Sequence, residues 1–165
     1  MSLTHPEGGI MKLVTVLSLT VMLVLMACGG GVLPEEAMTA FVEAVKTGDG
    51  ATAARYMSSH ALSELDVQLV AIKENPEMSV TYFATMGVET TESEIANWTS
   101  ADLYGAIIGS PGMVEELGDK LDLVVTGSEI NGSEAVVFFT TADGDEEEFE
   151  MILENDEWKL YEMPK

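Results

Sequence analysis

The hydrophobic repeat of this 165-residue chain changes once, near Gly118. Upstream, Met38, Phe41, Val42 and Val45 recur at i, i+3, i+4 and i+7, which gathers them on one face of a helix. Downstream, Leu121, Leu123 and Val125 alternate, and "EAVVFFTT", "EEFEMILE" and "EWKLYEM" follow with the two-residue period of strands. A chain that runs helices first and strands last buries helix faces on a sheet face. The expected class is therefore α+β, with N-terminal helices packed on a C-terminal antiparallel sheet.

Local signals divide the helical half. Pro34, Glu35 and Glu36 suit a first turn, and Gly48 stops that helix. A second short helix is expected from Gly50 to Met57, then a turn at "SSHALSEL" leading into a helix with Leu65, Leu69 and Ile72. Asn75-Pro76 starts another helix, carrying Met78, Tyr82, Phe83 and Met86 up to Gly87. Thr91 and Glu94 form a capping box ahead of Ile95 and Trp98, Thr99 or Ser100 caps the next helix, and Gly109 and Pro111 punctuate it. In the other half, Asn131-Gly132, Asp143-Gly144 and Asn155-Asp156 separate four strands, which predicts an antiparallel meander. "AVVFF" is apolar at every position and belongs centrally, with one face under the helices and the other covered as well.

The N-terminal segment has a different character. Lys12 precedes an uncharged run from Leu13 to Met26, about 14 residues, too short to span a bilayer but the length of a signal-peptide core. Leu25-Met26-Ala27-Cys28 closes it and holds the chain's single cysteine. This tetrad resembles the lipobox of bacterial lipoproteins. The resemblance implies cleavage between Ala27 and Cys28, acylation of the Cys28 sulfur and amino group, and a membrane anchor of two or three acyl chains, each buried methylene contributing about 0.8 kcal/mol. Residues 1–27 are then a leader, 28–33 a lipidated and Gly-rich tether, and 34–165 one domain. Met11 is the expected native start, because "MSLTHPEGGI" adds no basic character to the leader. The implied address is the cell envelope, lipid-anchored and extracytoplasmic. Gly29 is unlike the inner-membrane retention signal, which favours the outer membrane where the source has two.

A second resemblance covers most of Pro34 to Met163. "PEEAMTAFVEAVKTGDGATAARYM" with a closing "EWKL" strand is similar to the nuclear-transport-factor-two-like (cystatin-like) superfamily, in particular to small lipoproteins of its uncharacterised, lumazine-binding-labelled branch. The family fold implies a curved sheet forming a cone-like roll around a long helix, the cone holding a ligand, hosting catalysis or serving as core. The segment from Asn75 to Pro111 is longer and more helical than the family pattern.

Charge and side-chain inventory narrow the function. Seven Lys and Arg against 29 Asp and Glu give −22, and removing Glu7 and Lys12 with the leader leaves that value unchanged. Such a surface disfavours nucleic acid and electrostatic docking to anionic lipid. His60 is the only histidine after the leader and sits in the "SSHAL" turn, with no G-x-S-x-G elbow anywhere. The acidic run Asp143 to Glu148 has Glu148 where a calcium loop needs glycine, so it reads as a charged hairpin with at most loose calcium affinity. No metal, cofactor or catalytic residue is assigned. Asp102, Tyr82 and Tyr104 have the residue types that the superfamily's enzymes use, yet no family motif maps onto them.

The leading expectation is a membrane-anchored, non-enzymatic binding or accessory module for a small apolar ligand, a peptide or an envelope protein. Tyr56, Tyr82, Trp98, Tyr104 and Phe138 are its expected pocket lining, since such sites are mostly apolar with a few polar tips. A homodimer through the outer sheet face is a further expectation. The alternatives are a cone-pocket enzyme of proton-transfer or dehydratase type, and a structural envelope protein with a filled cone.

Overall fold

The structure, a computed structural model, describes residues 31–164. The expected leader, Cys28, Gly29 and Gly30 lie outside the described residues. The first helix, α1 (Pro34–Lys46), starts with proline at the position whose N–H has no helical partner, and the Glu36 carboxylate accepts the Leu33 N–H at 3.1 Å. Met38, Phe41, Val42 and Val45 are buried as their spacing predicts, joined by Ala37 and Ala44. Gly48, at φ +71°, supplies the left-handed turn that ends the helix.

Seven further helices follow: α2 (Gly50–Arg55), α3 (Ser59–Ser63), α4 (Asp66–Glu74), α5 (Pro76–Thr85), α6 (Glu92–Asn97), α7 (Ser100–Ile108) and α8 (Pro111–Leu117). Thr91 and Glu94 form the expected box on α6, and Thr99 with Asp102 forms another on α7. Three expectations need correction. The second helix stops at Arg55 rather than Met57, because Met57 leaves it to form a parallel bridge with Leu160. The "SSHAL" stretch is itself helical: buried Ser58 accepts the Ala61 N–H at 3.0 Å and donates its own N–H to the Leu160 carbonyl. Pro111 opens a helix instead of merely ending one, with Ser110 as its cap, accepting the Met113 N–H at 3.2 Å. In both missed helices a serine cap and a short length disguised a helix as a loop.

A 3-10 turn (Gly118–Leu121) leads into β1 (Val124–Asn131), β2 (Glu134–Thr140), β3 (Glu146–Glu154) and β4 (Glu157–Leu160), an antiparallel meander in that order. Leu121 and Leu123 thus precede the first strand, where alternation alone had suggested pairing. The β3–β4 turn holds both Asn155 and Asp156 at positive φ, 53° and 65°, the type I′ pattern of a two-residue hairpin.

Strand alternation gives the sheet two unlike faces. Ala135, Val137 and Phe139 of β2 are buried, in register with Met151 and Phe149 of β3, and Met151 is opposite Leu160 of β4. Helix α1 lies against β1, β2 and β4, and Met38, Phe41 and Val45 join Val137, Met151 and Leu160 in one core. Side chains therefore fill the space between α1 and the sheet. Val136, Phe138 and Ile152 point the other way and stay partly exposed, so the outer side of "AVVFF" is less covered than its composition suggests. Among the described residues no helix is long and apolar enough to cross a membrane.

Candidate functional site

A groove of about 670 Å³ lies between α2 and α7. Its floor is made by glycine. Gly50 faces Gly105 and Gly109 so closely that a Cβ on Gly109 would stand 2.7 Å from the Gly50 nitrogen. Ala54, Ala101 and Ala106 line the walls, and their small side chains leave the space open. The volume is that of a site for a drug-sized molecule.

Four larger groups border the groove, and each is positioned by local structure. Trp98 ends α6 and packs edge-on against Phe83, with ring centroids 4.9 Å apart; Phe83 is fully buried, so the indole rests on the core. Asp49 caps α2 by accepting the Thr52 N–H at 3.0 Å, and Thr52 holds its carboxyl below the usual range. Asp102 accepts both the N–H and the hydroxyl of Thr99 at 2.7 Å. One oxygen of each carboxylate thus serves a helix start. Arg55 ends α2, is exposed and is the basic residue among those lining the groove; its charge also acts on Glu157. An indole and a guanidinium are groups that can stack on and pair with a ligand.

The five expected lining residues do not converge. Trp98 lines this groove. Tyr104 points into the core, 6% exposed, and its hydroxyl has no hydrogen-bond partner among the described residues. Burial raises its pKa well above the ordinary phenol value. Tyr82 is 59% exposed on α5, Tyr56 is half-buried at the end of α2, and Phe138 stands on the outer face of the sheet. Aromatic residues at helical spacing mark the core and the surface as readily as a cavity, which is why type and spacing misplaced them. The groove had a different signal: Gly105 and Gly109, four residues apart, with Gly48 and Gly50 upstream. Along the chain, Gly48 and Gly109 read only as helix stops.

His60 lies on α3 with its ring stacked on Tyr161, centroids 4.6 Å apart and planes at 14°. The neighbouring Ser59 hydroxyl donates to Glu154 at 2.9 Å, so serine and imidazole are engaged with different partners. Among the described residues no three His, Cys, Asp or Glu side chains come together to hold a metal ion, the Asp143–Glu148 hairpin included. No family model, no curated protein and no solved structure matches the chain.

Proposed function

We propose that this protein is a lipid-anchored, extracytoplasmic envelope protein whose domain is a binding module, with the α2–α7 groove as its site. The observation that carries the binding half is the groove itself: a ligand-sized concavity with a glycine floor, an indole held by the core and one exposed arginine among its lining residues. These groups suit a small, largely apolar molecule with a flat portion for Trp98 and an anionic or carbonyl group for Arg55. The packed core between α1 and the sheet favours this groove over a cone-shaped interior. Kinship with the nuclear-transport-factor-two-like superfamily belongs to the same reading, supported by α1 lying on an antiparallel meander that ends in Trp158 and Leu160.

The anchoring half rests on Leu25-Met26-Ala27-Cys28 after an apolar run of signal-peptide length. A Cys28→Ser variant is expected to lose lipid labelling and to leave the membrane fraction; continued pelleting with membranes would overturn the anchor. For the site, native mass spectrometry of the protein purified from its own host should detect a retained small molecule that Trp98→Ala sheds. Equal retention by Trp98→Ala would remove the groove from consideration.

A further inference from the structure

The face of the sheet opposite α1 carries an apolar file bordered by acid. Val136 and Phe138 of β2 and Ile152 of β3 stand there, partly exposed. Pairing sets Glu129 and Glu150 on either side of Val136, Glu148 beside Phe138 and Glu134 beside Ile152. A depression of about 510 Å³ is lined by Val136 and Ile152 together with Glu129, Glu134, Glu150 and Tyr161. None of these residues lines the α2–α7 groove.

One position on this face is a glycine that leaves open space beside the apolar file. Gly127 sits inside β1 directly opposite Phe138, after the register shift between Val125 and Gly127. Its φ lies outside the left-handed region, and a Cβ there would meet nothing within 4 Å. The adjacent bulge is a common setting for a strand glycine, but no packing contact requires one here, and a side chain would fit. Beside the partly exposed Phe138, a strand-interior glycine also leaves room for another backbone to approach closely. The missing side chain leaves open space on the β1 side of Phe138, and Glu148 is its register partner on the β3 side.

We infer that this face docks a cationic, amphipathic segment of another polypeptide. Its apolar side chains would sit over Val136 and Phe138, its lysines or arginines would meet Glu129, Glu148 and Glu150, and its backbone would cross Gly127. Charge decides the occupant. A second copy of this chain would bring the same carboxylates against each other in a protein of net charge −22, whereas a basic segment finds complementary potential.

The test uses the full chain in neutral-lipid nanodiscs, with empty discs as blank, and a fluorescent peptide of alternating lysine and leucine as probe. Saturable binding is expected, weakened at least about tenfold by Gly127→Thr and by Phe138→Ser. Threonine suits a strand and its Cβ has room at this position, so Gly127→Thr keeps or raises the melting temperature and separates lost docking from lost folding. Unchanged affinity in Gly127→Thr, or equally tight binding of an alternating lysine–serine peptide, would overturn the inference. So would a dimeric wild type that Gly127→Thr turns monomeric, because the occupant would then be a second copy.

Discussion

Gly50 and Gly105 meet backbone to backbone: a Cβ on Gly50 would overlap the Gly105 carbonyl, and one on Gly105 would lie 2.9 Å from the Gly50 oxygen. Helices α2 and α7 are thus in direct main-chain contact beneath the groove. The absence of side chains here is a packing requirement, and the groove exists because of it.

Gly50→Ala should consequently destabilise the domain by about 3 kcal/mol, the upper end for forcing a methyl group into a packed interior. Gly112 in α8 is the control, since a Cβ there meets nothing within 4 Å. Gly112→Ala is expected to stabilise by about 0.5–1 kcal/mol through helix propensity alone. Urea denaturation of both variants distinguishes a steric glycine from an incidental one.

Tyr104 buries a hydroxyl that has no partner among the described residues. Tyr104→Phe should therefore be neutral or stabilising by about 1 kcal/mol, because no internal hydrogen bond is lost and a desolvation cost is removed. The folded phenol titrates above its unfolded value. Its contribution is full below about pH 10 and is lost as pH rises beyond that, so wild type weakens in alkali more steeply than Tyr104→Phe. Denaturation midpoints measured across the alkaline range check the sign.

Glu94 is held below the ordinary carboxylate range by the hydroxyl and backbone N–H of Thr91, with lesser help from Thr90. The stabilisation this represents is present above the unfolded carboxyl pKa and disappears as pH falls through the folded value. Thr91→Val should move the Glu94 titration upward, toward that of a free glutamate. Carbon-detected NMR titration of the side chain reads the shift directly.

The β3–β4 hairpin keeps Asp156 at φ +65°, where a side chain is tolerated at a cost. Asp156→Gly should stabilise by about 0.5–1 kcal/mol, as glycine is the favoured second residue of a type I′ turn. A rise in thermal midpoint with unchanged circular dichroism is the expected result.

The class of fold and the strand order follow from local rules along the chain. The burial of Met38, Phe41, Val42 and Val45 is dictated by helical period, the capping box at Thr91 and Glu94 by spacing, and the meander by turn residues that bring consecutive strands together. The resemblance of Leu25-Met26-Ala27-Cys28 to a lipobox is equally local, since it rests on four adjacent residues after an apolar run. The site was decided only by tertiary structure. Trp98, Tyr104 and Phe138 look alike along the chain, yet they end at a groove, in the core and on the outer sheet face. Gly50 and Gly105 are 55 positions apart, and nothing local says that two unremarkable glycines will touch. A groove is a relation between elements set by how closely their backbones approach, and that distance is fixed by packing of the whole domain rather than by any segment of it.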